Sequence, residues 1–569
     1  MLRKTLLVLA ILATVIPLLL LAQQQEKIDL NVIHKIKAAE FGGGGRGGGG
    51  GFGGGGGAPR MAPIMTTMYE LTDHYGPRLT NSPQFRRAGD WAVSQLKEWG
   101  LSNVHLEPWA TTGGRGGGIP SWEMKHVFAA MEEPTYMPLI AYPQAWSGST
   151  NGTVTGEAVI AQDATQEDMD KWHGKLQGKF VLLVAGADPS AAALDLPFPT
   201  TPLGHRYTEQ ELADLVPDVI PGGNAAGRGG RGGRGGNAAQ ANMTPEQRQA
   251  FMEKQANFWK NEGVLATITA SARGQSGTVF ASNGSPRSGD PTKNLPSVAI
   301  TAENYNRIAR LLEHNVPVKL SFDIKTEFDM SKTESFNVIA EIPGTSKPNE
   351  LVMVGGHFDS WHMGTGATDN GAGSAVAMEV MRLLKSQNLK MDRTVRMALW
   401  GGEEEGLLGS RAYVNDHFAN PADMKLKPEH DGFAGYFNLD NGTGRIRGIY
   451  LQENEMCRPI FEQWFAALKD LTPGVITIRN TGGTDHQSYD AVGLPGFQFI
   501  QDPMDYDTRT HHSNMDVFDR IQQQDMEQMA VIEAVFVYNA ATRAEKLPRK
   551  ELPAAQGNGR GRGGRGGGN

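Results

Sequence analysis

Residues 351–373, LVMVGGHFDSWHMGTGATDNGAG, decide how the rest of the chain is read. The apolar run Leu351 to Val354 is short enough to be a buried strand. Gly355 and Gly356 then predict a turn. Beyond it come His357, Asp359 and, twelve residues after the histidine, Asp369. A helical pattern follows from Ala375 to Leu384. A strand that ends in His-x-Asp, with a second Asp behind it, can build a metal site at the edge of an α/β sheet.

Around this stretch, residues 331–545 alternate strand and helix patterns. The predicted strands are Phe336–Ile342, Leu351–Val354, Val395–Trp400, Gly435–Leu439 and Gly496–Ile500. Helices between them predict an α/β fold with a mostly parallel mixed sheet flanked by helices. Helical spacing from Ile64 and again from Ser82-Pro83, then a strand at Val104–Leu106, join residues 61–125 to residues 323–545 as one catalytic domain. Residues 126–322 change character. Short β-like runs at Gly156–Ile160, Phe180–Val184, Val264–Ile268, Val298–Thr301 and Val316–Phe322 predict an inserted β-rich domain. Residues 244–261 look helical within it, and the Gly/Arg tract at 227–236 reads as a surface loop.

The ends are of another kind. Residues 1–22 predict a signal peptide, with Arg3 and Lys4 before an apolar region from Leu6 to Ala22. Its cleavage would leave no stable membrane span and a periplasmic or secreted protein. Residues 23–60 read as a Gly-rich linker, and residues 546–569 as a disordered Gly/Arg tail. Cys457 is the only cysteine, which excludes an internal disulfide and a multi-cysteine metal site. The net charge is −8, and the body is more acidic still once the arginines of the Gly/Arg tracts are set aside. That balance argues against a nucleic-acid partner.

Four predicted strand ends carry the chemistry: His357, Asp359 and Asp369; Glu403-Glu404-Glu405; Asp440; and His511-His512 with Asp516. In open α/β sheets, sites gather at the carboxyl ends of strands. Imidazole and carboxylate without sulfur suit zinc, or another borderline divalent ion, in a hydrolytic site. Many acids for few histidines favour two metals sharing a carboxylate. GTGATDNGAG lacks the Gly-Lys-Ser/Thr ending of a phosphate loop, and no HExxH or GxSxG occurs.

The motifs HFDS, GATDNGAG, WGGEEEGLLGS, FNLD and HSNMD, in this order, resemble the co-catalytic di-zinc exopeptidases of the aminopeptidase/glutamate-carboxypeptidase family. The segment HYGPRLTNSPQFRRAGDWAVSQLKEWGLSNVHLEPW is similar to the plasma glutamate carboxypeptidase branch, and the insert to a protease-associated domain. The resemblance implies two Zn2+ per chain. Asp369 would bridge them, with His357 and Asp440 on one and Glu404 and His512 on the other. It makes Glu403 the general base and Asp359 the acid that orients His357. The triplet also permits a shifted register, with Glu404 as base and Glu405 as ligand. His511 stands where many relatives carry Tyr and is a candidate substrate contact. Asp485 and His486 match a segment beside the substrate pocket. The implied substrate is a small peptide or dipeptide, recognised by its amino or its carboxylate end, and homodimerisation is left open. Two other readings keep the fold: an inactive peptide-binding relative, and a single-zinc enzyme of the glutaminyl cyclotransferase kind.

Overall fold

The computed structural model describes residues 25–42, 61–109, 118–163, 165–183, 206–215, 251, 254–255, 257–271, 274, 276–280, 284–285, 287 and 290–556. The predicted signal peptide, the glycine run at 43–60, the tract at 227–236, most of 244–253 and the end of the tail from 557 lie outside these residues.

The first sheet opens with β1 (Ser102–Trp109). The chain then leaves it for a second sheet made of β2 (Ser121–Glu133), β3 (Met137–Pro138), β4 (Ala141–Pro143), β5 (Val154–Ala161), β6 (Phe180–Leu183), β7 (Ala266–Ser271), β8 (Ser297–Thr301) and β9 (Lys319–Asp329). It returns through β10 (Ser335–Ile342), β11 (Lys347–His357), β12 (Arg393–Trp400), β13 (Phe433–Asn438), β14 (Ile446–Tyr450), β15 (Val475–Thr477) and β16 (Gly496–Gln501). The first sheet has the order β1-β10-β12-β11-β13-β16-β14-β15, with the central run β12-β11-β13-β16 parallel. The second has the order β3-β2-β9-β5-β6-β7-β8-β4. It reaches slightly beyond the predicted insert limits of 126 and 322, because β2 and β9 pair as far as Ser121 with Asp329. The short strands β14 and β15 escape sequence reading, being too brief to show a period of two.

Strand β11 shows why this sheet lies inside. Val352 and Val354 face one apolar cluster, while Leu351 and Met353 face another. Alternate side chains of one strand thus bury both faces, which requires a continuous apolar run. On one face lie α3 (Ala372–Ser386) and α4 (Gln523–Thr542), with α1 (Leu30–Phe41) and α2 (Pro83–Glu98) at its margin. α2 begins at Ser82, whose hydroxyl accepts from the Phe85 amide, with Pro83 in the first turn.

Three expectations need correction. Gly355 and Gly356 do not form a turn; they continue β11 up to His357. They are needed for close approach: a Cβ on Gly355 would sit 2.1 Å from the Ala398 carbonyl oxygen, and one on Gly356 would sit 2.7 Å from that of Leu439. Residues 30–41, assigned to the linker, form α1 and bury Val32, Ile33 and Ile36 in the core. Its spaced apolar residues gain more by docking than by staying solvated. Residues 546–556, assigned to the tail, lie on the body; Leu547 is buried and the Arg549 guanidinium donates to the His430 and Phe433 carbonyls.

Glu533 stands on α4 among core residues, with neither carboxylate oxygen hydrogen-bonded to the described residues. Burial raises its pKa well above the ordinary value of 4.5. A raised carboxyl contributes stability that is fully present below the unfolded pKa and is lost as pH rises through the folded value. Glu533→Gln is therefore expected to match the wild type in thermal midpoint near pH 4 and to exceed it at pH 8. A gap that stays constant with pH would contradict the buried neutral acid.

Candidate active site

The parallel strands bring the predicted residues to one edge. His357 pairs with Trp400 across β11 and β12, so the glutamate triplet begins beside it. Gly355 pairs with Asn438, which places Asp440 just past the end of β13. Beyond β16 the chain runs on to His511 and His512. Four carboxyl ends of adjacent parallel strands thus meet.

Asp369 lies at the centre. Its Oδ1 is 3.2 Å from His357 Nε2, and its Oδ2 is 3.2 Å from His512 Nε2. His357 Nε2 lies 3.5 Å from Asp440 Oδ1, and His512 Nε2 lies 2.8 Å from Glu404 Oε2. One carboxylate therefore faces two His–acid pairs, one through each oxygen. Asp369 Oδ2 and Glu404 Oε1 are buried and receive no hydrogen bond among the described residues. Buried carboxylate oxygens without donors, beside imidazole nitrogens, fit divalent cations as ligands. His357, Asp369 and Glu404 can meet on one ion, as can Asp369, His511 and His512.

The electrostatics follow from this crowding. Burial alone would lower the His357 pKa, but Asp440 and Asp369 outweigh it and raise it well above 6.5. Burial would raise Asp369, yet His357, His512 and His511 hold it well below the carboxylate range. Burial, aided by Asp485 and Asp440, pushes Glu403 well up; burial and Asp369 do the same to Glu404. Acids this crowded resist ionising together, and a bound dication reverses that resistance.

The loop carrying Asp369 is held from several sides. Arg78 is fully buried and donates to the carbonyls of Leu71, Phe358, Thr365 and Gly366. The Asp516 carboxylate accepts from the amides of Thr368 at 2.5 Å and Asp369 at 3.3 Å. Tyr506 donates from Oη to Asp369 Oδ1 at 2.9 Å. Asn370 Nδ2 donates to the Leu439 carbonyl, joining this loop to the end of β13. His512 itself has φ +63, a left-handed value that costs a non-glycine residue and marks a constrained position.

Asp359 lies against both His357 and the glutamate loop. The His357 ring contacts the Asp359 backbone carbonyl at 3.0 Å through Nδ1, while the carboxylate is 3.8 Å away. That carboxylate accepts from the amides of Glu403 and Glu404 and from the Thr80 hydroxyl, so it shapes the glutamate loop. Within the triplet, Glu404 meets His512, whereas Glu405 lies toward Arg287, 3.9 Å from it. His511 stacks on Tyr506 and stands 3.8 Å from Asp369 Oδ2. Asp485 is buried with His357, Ser410 and Asp440 as neighbours, and burial raises it to about 7. His486 is turned to packing instead: its Nε2 lies 2.9 Å from Gln452 Nε2 and 3.1 Å from the Thr481 carbonyl, and burial lowers it to about 4.

Sequence reasoning missed Arg78, Tyr506 and the bonds that the Thr368 and Asp369 amides donate to Asp516. Arg78 and Asp516 stand inside quoted motifs, GPRLTNS and HSNMD, which was the available signal. Tyr506 stands in no motif; a π-helical turn at Tyr506–Thr510 brings it round to Asp369.

Comparison with known proteins bears on the family and the fold. Residues 337–537 match peptidase family M28. The chain is 26% identical to carboxypeptidase Q of Homo sapiens over 491 residues, 84% of this chain and 85% of that protein. Two solved structures share the fold. A peptidase M28 precursor from Shewanella amazonensis has TM-score 0.61 and 22% identity, covering 92% of this chain and 99% of its own. BSAP, a zinc aminopeptidase from Bacillus subtilis, has TM-score 0.52 and 18% identity, covering 85% and 96%.

Proposed function

Because residues 337–537 are a peptidase family M28 domain and the chain is a metallo-exopeptidase, we propose that it is an exported di-zinc enzyme that splits dipeptides or trims small peptides. The observation that carries this reading is the division of the Asp369 oxygens between the His357–Asp440 and Glu404–His512 pairs. Asp369 would hold both ions, and each pair would complete one set. Bound in this way, the ions would supply an acidified water near neutral pH and polarise the scissile carbonyl. Glu403 takes the proton of the attacking water and returns it to the leaving amine. Asp359 keeps Glu403 and Glu404 in place through their amides. The sheet formed within residues 121–329 would be a protease-associated domain, and residues 1–22 would direct export to the periplasm or beyond.

A panel of free, N-blocked and C-blocked dipeptides, with and without chelator, tests the reading. Hydrolysis of free dipeptides that stops on chelation and returns with zinc is expected. Activity that survives complete metal removal would overturn the mechanism, and full activity with one zinc per chain would favour the single-metal reading.

A further inference from the structure

The inserted region reaches back to the first sheet at both ends of the loop that carries His512. That loop leaves β16 at Asp502 and runs past Tyr506, His511 and His512 to Asn514. At its far end the Asn514 side chain grips the backbone of the segment after β7. Its Oδ1 accepts from the Val279 amide at 2.8 Å, and its Nδ2 donates to the Gly277 carbonyl at 3.2 Å. The Asn514 amide donates to the Val279 carbonyl at 3.0 Å, and Phe280 forms an antiparallel bridge with Ser513. At the near end the Asp502 carboxylate accepts from the Tyr207 amide at 2.9 Å, and Arg206 pairs with both Asp502 and Asp525. Residues 206–207 and 277–280 both lie between β6 and β8 of the second sheet.

The 277–280 segment is itself anchored. The Phe280 amide donates to the Ser271 hydroxyl at the end of β7 at 2.8 Å, and the buried Val279 packs with Ala299 of β8. A grip on this segment therefore ties the His512 loop to a sheet. The two proposed metal sets differ in their need of such a tie. His357 is the last residue of β11, which lies between β12 and β13, and its side chain is 1% exposed. His512 stands in a loop; its side chain is 28% exposed and its φ is +63. A non-glycine residue keeps that left-handed backbone only where its surroundings hold it. Asn514 is two residues further on, and both its side chain and its amide are engaged by the inserted region. Ligand-to-metal distances tolerate only about 0.2 Å, so a group that orients a ligand sets the affinity for the ion.

We propose that Asn514 is a positioning residue through which the inserted region completes one of the two metal sets: it holds the His512 imidazole in place for the ion shared with Glu404 and Asp369, and leaves the His357–Asp440 ion independent of the insert. This rests on the di-zinc reading above. The test is equilibrium dialysis of the full chain against zinc, with amide hydrogen exchange and the thermal midpoint measured on the metal-free chain. Asn514→Ala should weaken one of the two ions by about 10–100-fold, leave the other unchanged, and speed exchange at residues 506–513. Asn514→Asp keeps the acceptor for the Val279 amide and loses the donor to Gly277, so it should fall between Asn514→Ala and the wild type. Adding Asn514→Ala to His512→Ala should not weaken the remaining ion further, because both changes act on the same set. Two ions held as tightly as in the wild type would overturn the proposal. So would equal weakening of both with a lowered thermal midpoint, which would make Asn514 a general support of the fold. Should Asn514→Ala not fold, Asn514→Asp decides by the same readings. If the wild type holds a single ion, the di-zinc reading fails, and hydrogen exchange still decides the tie: faster exchange at 506–513 in Asn514→Ala upholds it, and unchanged exchange overturns it.

Discussion

Glu403→Ala is expected to lower kcat by about 10²–10⁴-fold, the usual contribution of a positioned general base, with metal content unchanged. The prediction separates two neighbours in one loop. Glu404 lies 2.8 Å from His512 and belongs to the proposed metal set. Glu403 is held by its amide on Asp359, and its carboxyl has His357 and Asp440 as electrostatic neighbours. Removing a base should therefore cost turnover but not ions, whereas Glu404→Ala should cost ions as well. Measuring kcat beside zinc per chain distinguishes the two. Should Glu403→Ala cleave dipeptides as fast as the wild type, the base would have to be another residue.

Asp369→Ala is expected to remove both metals together and to lower activity by on the order of 10³-fold or more. The argument is geometric. Asp369 gives Oδ1 to the side of His357 and Oδ2 to the side of His512, so neither set is complete without it. It also faces three imidazoles, and its loss would leave them mutually repulsive once protonated. His512→Ala, by contrast, breaks one set and should leave the other ion in place. Equilibrium dialysis of each variant against zinc reads the difference directly. An Asp369→Ala chain that still binds two ions would refute the shared carboxylate.

Much of this could be read from the residues because the motifs sit at strand ends. An apolar run such as Val395–Trp400 announces a strand, and in a parallel sheet the residues after it must emerge at the same edge as those after its neighbours. The clusters that hold His357 and Asp369, Glu403-Glu404-Glu405, Asp440 and His511-His512 therefore follow from order and residue type, while the choice of His357, Asp369, Glu404, Asp440 and His512 within them is what the family resemblance implies. Where reading failed, the cause was local. Gly355 and Gly356 look like a turn because glycine permits one, but here they admit the carbonyls of neighbouring strands. Residues 30–41 look like part of a linker because a long glycine run follows them, although Val32, Ile33 and Ile36 form an apolar stripe that α1 buries.

The sequence by itself determined the alternating strand–helix plan, the inserted β-rich region and the residue types of the metal-like cluster. These depend on periodicity and composition, which are properties of neighbouring residues in the chain. Only the tertiary structure decided that Asp369 divides its oxygens between two His–acid pairs, that Asp359 meets His357 through its backbone carbonyl while its carboxylate takes the amides of the glutamate loop, and that Tyr506 and Arg287 stand where they do. Those are contacts between residues far apart in the chain. They depend on strand register and loop packing to within an ångström, and no spacing in the sequence encodes that distance.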